Sequence, residues 1–205
     1  MDKINLIYRR SINVLGSQHW WPARGPFEVM LGAILTQNTS WSNVEKAIRN
    51  LKKAKLLSPG KIHRLSEKSL AGFIRPAGYY NVKARRIKNF MAFFIGTYQG
   101  SVRKMSGKKT GLLRRELLGV NGIGPETADS ILLYALNKPV FVVDAYTKRI
   151  FFRHGLVKKD ASYQQVQGMF ACSLRKSARL FNEYHALLVK IGKDFCLKNK
   201  PKCSF

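Results

Sequence analysis

Acidic residues are scarce in this sequence. Its 205 residues hold 11 Asp and Glu against 37 Lys and Arg, a formal net charge of +26. A folded protein so one-sided repels itself unless a polyanion is its usual partner, so the imbalance points to nucleic acid; a basic surface that serves no ligand is the alternative. Long apolar runs are missing too. No stretch reaches the roughly 20 apolar residues that a bilayer-spanning helix takes. The start, Met1-Asp2-Lys3-Ile4-Asn5 with Arg9 and Arg10 close behind, lacks the layout of a signal peptide. The expectation is a cytoplasmic protein with no membrane partner. Three cysteines, Cys172, Cys196 and Cys203, are an odd count that suggests no disulfide framework. Internal repeats, low-complexity tracts and long linkers are also absent.

Hydrophobic residues are plentiful, at 45%, which is enough for a buried core and argues against a basic disordered tail. They recur mostly at helical spacing, so the expected class is all-α. Gly25-Pro26 predicts a helix entry with Phe27, Met30, Leu31, Ile34 and Leu35 facing inward. Val44, Ala47, Ile48 and Leu51 predict the next helix. A later one carries Ala84, Ile87, Phe90, Phe93 and Phe94 inward and Lys83, Arg85, Arg86 and Lys88 on its other face. Only Val140-Phe141-Val142-Val143 invites a β assignment.

Two motifs carry chemistry. In Val120-Asn121-Gly122-Ile123-Gly124-Pro125 a helix end runs into Gly-x-Gly, and Pro125 opens a new helix. Glycines let the chain turn tightly and approach a ligand, and free N–H groups at a helix start attract anions such as phosphate. A plain structural turn is the other reading. Further on, Asp144 follows an apolar run and opens the helical pattern of Ala145-Tyr146-Thr147-Lys148-Arg149. It is either a helix N-cap or a carboxylate with chemistry of its own.

Hairpin, Thr127-Ala128 helix, then Val143-Asp144 before the basic Lys148-Arg149 resembles the endonuclease III superfamily of DNA glycosylases. Leu31 to Thr39 is similar to that family's early helix and Gln-Asn turn, and Gly78-Tyr79-Tyr80-Asn81-Val82-Lys83-Ala84 to a later helix start. The resemblance implies two helical domains with a DNA-binding cleft between them and a helix-hairpin-helix motif. Mapped here, residues 24–138 would form a six-helix barrel, and residues 1–23 with 139–205 the second domain. Implied DNA-binding residues are Gln37, Asn38, Gly122, Gly124, Thr127, Lys148 and Arg149, with Gln37 and Asn38 filling the gap left by a flipped nucleotide. Asp144 would be catalytic, stabilising positive charge on the deoxyribose. Where bifunctional members carry a lysine that forms a Schiff base, this sequence has Glu126, and a carboxylate cannot form an imine. The expectation is a monofunctional glycosylase acting as a monomer on damaged double-stranded DNA.

His19-Trp20-Trp21-Pro22 and Trp41 resemble the 3-methyladenine branch, where aromatics line the base pocket; a cationic alkylated purine is drawn to electron-rich ring faces. The expected pocket is Trp20, Trp21, Pro22 and Trp41, bordered by Lys190, with interdomain core as the alternative for the tryptophans and a solvated surface position for the lysine. Cys196-x6-Cys203 matches half of the family's [4Fe–4S] motif; a cluster is expected only if the native chain extends beyond Phe205, and the chemistry requires no cofactor. Two rival readings remain at this level. One is a bifunctional enzyme whose nucleophile is Lys148 or Lys193; the other is a non-catalytic helix-hairpin-helix DNA-binding module.

Overall fold

A computed structural model of the chain describes residues 2–18 and 25–202, and every regular element among them is helical. In order these are α1 (Lys3–Leu15), α2 (Pro26–Leu35), α3 (Trp41–Lys53), α4 (Pro59–Arg64), α5 (Glu67–Ile74) and α6 (Tyr80–Tyr98). There follow α7 (Val102–Ser106), α8 (Thr110–Leu118), α9 (Pro125–Ser130), α10 (Ala145–Arg153), α11 (Tyr163–Ser173) and α12 (Ala178–Asp194). The chain divides into a contiguous unit, Pro22–Leu136, and a discontinuous one, Met1–Trp21 with Asn137–Phe205.

The contiguous unit is organised around α2. Pro26 fits its first position, where the missing N–H costs nothing. All residues from Val29 to Leu35 are buried, so this helix is apolar all round and lies inside its unit. Helix α3 buries one stripe, Val44, Ala47, Ile48 and Leu51, as its spacing predicts. Helix α6 buries Ala84, Ile87, Phe90 and Phe94, and the Phe94 ring stacks between those of Phe27 and Phe90 at 6.2 and 5.7 Å.

The outer face predicted for α6 needs correcting. Lys83 is buried, and its ammonium donates to the carbonyls of Leu35 (2.9 Å) and Ala77 (2.7 Å). It caps the C-terminal end of α2, where carbonyls lack helical partners and a cation is favoured. Lys88 likewise donates to the carbonyls of His63 and Leu65, and only Arg85 of the predicted four is exposed.

Helices α8 and α9 are held together by a two-pronged ion pair. Arg114 donates through Nε and Nη2 to the two oxygens of the fully buried Asp129, at 2.7 and 2.9 Å. Removing one partner of such a pair strands a buried charge, at about 3–5 kcal/mol. Beyond Ser130 the helix widens into a π turn, Ile131–Ala135.

In the discontinuous unit, Val140–Val143 is not a strand. Phe141, Val142 and Val143 are all buried, so the run lacks the alternation of a half-exposed strand. Side chains satisfy its backbone instead: Gln167 donates to the Phe141 carbonyl (2.7 Å), and the Val143 N–H donates to the Tyr163 hydroxyl (3.3 Å). The Phe141 ring stacks on Phe170 at 3.7 Å and meets Phe181 and Tyr184 edge-on. This packing fixes the segment that delivers Asp144.

Burial, with repulsion from Arg86, lowers the Lys83 pKa to about 8. Unfolding returns it toward 10.5, so between these values the unfolded chain binds the extra proton and stability rises with pH. Below pH 8 both states hold the proton and the buried charge is a full cost. The stability of wild type relative to Lys83→Met, from urea unfolding, is therefore expected to grow between pH 8 and 10.5. A constant difference would mean that the ammonium titrates as it does in water.

Candidate active site

The hairpin between α8 and α9 is shaped from within its own unit. Gly122 has φ 92°, and a Cβ there would fall 2.3 Å from Cγ of Arg86, so both backbone and space demand glycine. Gly124 differs. It is exposed at the N-cap of α9, and nothing lies within 4 Å of where its Cβ would sit. The open approach for a ligand is thus at Gly124, whereas the Gly122 space is already filled by Arg86.

Gln37 and Thr127 also take roles other than those expected. The Gln37 amide nitrogen donates to the Gly122 carbonyl (3.2 Å) and to the hydroxyl of buried Thr127 (2.9 Å), while its oxygen accepts from Arg86. Gln37 is therefore a brace between the turn after α2 and the hairpin, and Thr127 faces inward. Asn89 on α6 adds a bond to the Asn121 carbonyl at 3.2 Å. Asn38 turns the chain with a left-handed backbone, φ 53°. Another left-handed residue, Tyr79 at the N-cap of α6 (φ 45°), leaves its ring 72% exposed.

Asp144 is both cap and candidate catalyst. Its Oδ1 accepts from the Thr147 N–H (2.7 Å) and hydroxyl (2.8 Å), which closes the first turn of α10 and stabilises it by about 1 kcal/mol. The cap leaves Oδ2 over. That oxygen lies 3.5 Å from Nε2 of His185 on α12, with the aspartate side chain 12% exposed and the histidine 7%. Burial pushes the Asp144 pKa upward, but the His185 ring and the Thr147 hydrogen bonds outweigh it and hold the carboxyl below its ordinary value. The group stays ionised although nearly enclosed.

A close helix crossing makes this meeting possible. At Gly192 on α12 a Cβ would fall 2.4 Å from Cδ1 and 2.7 Å from Cβ of Tyr146, so the second residue of α10 rests on bare backbone. Arg149 lies over the Tyr146 ring, 5.1 Å from its centre, and donates to the carbonyls of Gly192 (2.7 Å) and Cys196 (2.8 Å). His185 precedes Gly192 by seven residues, two turns on the same face. The crossing that seats Tyr146 thereby brings Asp144 to His185.

The remaining expected residues are placed as follows. Arg149 is committed to the carbonyls just named, and Lys148 donates to the Ala161 carbonyl at 2.9 Å. Both donate to carbonyls of their own unit. Lys190 pairs with Asp194 at 3.0 Å on α12. Trp41 is half-buried at the start of α3 and donates to Glu45 (2.8 Å). Trp20, Trp21, Pro22 and Cys203 lie outside the described residues. Cys196 is buried and its Sγ accepts from Arg153 (3.2 Å), whereas Cys172 is exposed on α11. Among the described residues no three His, Cys, Asp or Glu side chains come together to hold a metal. Sequence reasoning missed Lys83 and Arg86 as braces and gave His185 and Gly192 no role.

One helical unit carries a braced glycine hairpin and the other an ionised, capped carboxylate, in a chain whose family is that of the base excision repair DNA N-glycosylases. Residues 31–175 match the model of the HhH-GPD superfamily base excision DNA repair proteins, and the chain belongs to that superfamily. It is 50% identical over 199 residues to a Methanocaldococcus jannaschii protein provisionally named a DNA repair glycosylase, covering 96% of this chain and 90% of the relative. The crystal structure of H. pylori 3-methyladenine DNA glycosylase bound to 1,N6-ethenoadenine superposes with TM-score 0.80 at 29% identity, covering 94% of this chain and 98% of that one. A trapped endonuclease III–DNA covalent intermediate superposes with TM-score 0.85, covering 98% and 90%; at 24% identity it speaks for the fold alone. No described helix is long and apolar enough to cross a membrane.

Gly192→Ala sets two effects against each other. Alanine favours a helix interior by about 1 kcal/mol over glycine, but its methyl group would strike the Tyr146 ring, and overpacking of this kind costs about 1–3 kcal/mol. The steric effect should win, giving a lower melting temperature and base release reduced at least about ten-fold as Asp144 is pushed from His185. A more stable variant with an unchanged rate would show that the crossing does not position the carboxylate.

Proposed function

We propose that this glycosylase is monofunctional and excises alkylated purines, 3-methyladenine above all, from duplex DNA, with Asp144 as the catalytic residue. The observation that carries the reading is the ionised, nearly enclosed Asp144, whose Oδ2 is left over from the helix cap. As the C1′–N bond lengthens, positive charge builds on the sugar, and a fixed carboxylate in a poorly hydrated site stabilises it more than water does. Water then adds at C1′ and gives its proton to Asp144, while the base leaves with the bonding electrons. An alkylated purine starts as a cation and departs neutral, so it needs little acid assistance.

Glu126 supports the monofunctional half: it stands at the Schiff-base position and has no amine to offer. The alkylpurine half is supported by the likeness to the H. pylori enzyme and by Trp20-Trp21-Pro22 and Trp41 as ring faces for a cationic base. With Gln37 committed to the hairpin, we assign the space left by the flipped nucleotide to Tyr79, an exposed ring on a strained backbone. Phosphate is assigned to the turn at Gly124, where nothing lies within 4 Å of the position a Cβ would take.

Asp144→Asn keeps the shape and loses the charge. It should slow release of 3-methyladenine about 10²–10³-fold while affinity for undamaged duplex stays within a few-fold, as single-turnover release and a binding titration would show. Release at the wild-type rate would remove Asp144 from the chemistry. Borohydride should trap no covalent complex with wild type, and an efficient cross-link would instead establish a lyase. Uracil and oxidised pyrimidines should be released at least about ten-fold more slowly than 3-methyladenine; the reverse order would end the alkylpurine assignment.

A further inference from the structure

His185 is a buried titratable residue to which neither the resemblance nor the reaction above gives a task. It sits on α12 with Nε2 3.5 Å from Oδ2 of Asp144 and its ring edge-on to Phe141 at 6.4 Å. The groups facing it can be named element by element. The start of α10 brings Asp144, and the segment before it brings the apolar Phe141. Helix α1 brings Tyr8, but to the neighbouring Tyr184 ring, at 5.2 Å. Farther along α12, Lys190 is paired with Asp194. The charged partner of the imidazole on these elements is the Asp144 carboxylate, and the oxygen it meets is the one that the Thr147 cap leaves over.

We propose that His185 is the positioning residue of Asp144 and that the two titrate as one unit, active while the pair carries a single negative charge and silent once the ring takes up a proton. The proposal rests on the catalytic reading of Asp144. A neutral ring leaves the carboxylate's charge undiminished toward the sugar. A protonated ring 3.5 Å away brings the pair to zero and opposes the cation growing at C1′. The same ring fixes the direction of Oδ2, as the Thr147 bonds fix Oδ1.

The test uses the full chain and a duplex carrying 3-methyladenine, in single turnover with spontaneous release subtracted, from pH 4.5 to 8.5. Wild type should lose rate about ten-fold per pH unit below the ring's midpoint. In His185→Gln the acid limb should report a carboxyl group instead of an imidazole. A carboxyl group ordinarily titrates below an imidazole, so the limb should move to lower pH. A role in packing alone would lower the rate at every pH and leave the limb where it was. The second readout needs no activity. With 13C-labelled aspartate, the Asp144 carboxyl resonance, identified by its loss in Asp144→Asn, should titrate at higher pH in His185→Gln than in wild type, because the ring helps hold the group ionised. In wild type it should also show a second inflection as the ring takes its proton, which keeps the test decisive if the variant does not fold. Superimposable acid limbs, an unmoved carboxyl midpoint, or the lack of a second inflection would each overturn the proposal. If wild type releases no 3-methyladenine, the alkylpurine reading fails, and the carboxyl titration alone decides the pairing.

Discussion

A carboxylate has to keep its charge while most of its surface is denied water, and the discontinuous unit is arranged around that constraint. Burial alone would favour the protonated acid. The opposing interactions come from two directions: a helix start that donates two hydrogen bonds to Oδ1, and a ring from a second helix that faces Oδ2. Thr147 belongs to α10 and His185 to α12. The two helices must therefore meet at one fixed distance. Gly192 permits that distance, and Arg149 secures it by covering Tyr146 and holding the end of α12. Even the apolar run 141–143 serves the constraint, since its burial anchors the chain immediately before the acid.

The contiguous unit applies its positive charge inward to an unusual degree. Lys83 closes the end of α2, Lys88 closes the turn after α4, Arg86 braces Gln37, and Arg114 locks α8 to α9. In the discontinuous unit Lys148, Arg149 and Arg153 do the same for carbonyls of Ala161 and residues 192–198. These cations are committed to carbonyls, an amide or a carboxylate within their own unit, out of a net charge of +26.

These commitments explain what the sequence could and could not disclose. Helices, their apolar faces, Pro26 and Pro125 at helix starts, and the cap at Asp144 are local properties, written within four or five residues of each other. The class of protein was legible from the order of its motifs. The braces were not, because each joins residues far apart in the chain: Lys83 to Leu35, Gln37 to Thr127, Arg149 to Cys196. Lys83 stands four residues from Ile87 and looks, by composition, like part of a solvated basic face; only the unpaired carbonyls at the end of α2 make its burial tolerable. Val140–Val143 has the residue types of a strand and an extended path but no neighbouring strand, and side chains of α11 took the place of a ladder. Gly122 turns the chain tightly, as its motif suggested, and the space beside it, which the sequence could not show, is filled by Arg86.

The glutamate at position 126 bears on the aspartate as well. In a reaction with an amine nucleophile, the sugar cation is captured by a group that the protein positions. Under the proposed monofunctional reading, water does the capturing, and water has to be aimed. A symmetric, freely rotating carboxylate would aim it poorly, since both oxygens could accept its proton. Here Oδ1 is already occupied by the backbone and hydroxyl of Thr147, so a single oxygen is left to direct the attack. The helix cap, which by itself is a common structural device, thereby selects the oxygen. Under the monofunctional reading, structural and catalytic uses of Asp144 are then not alternatives: the first makes the second directional.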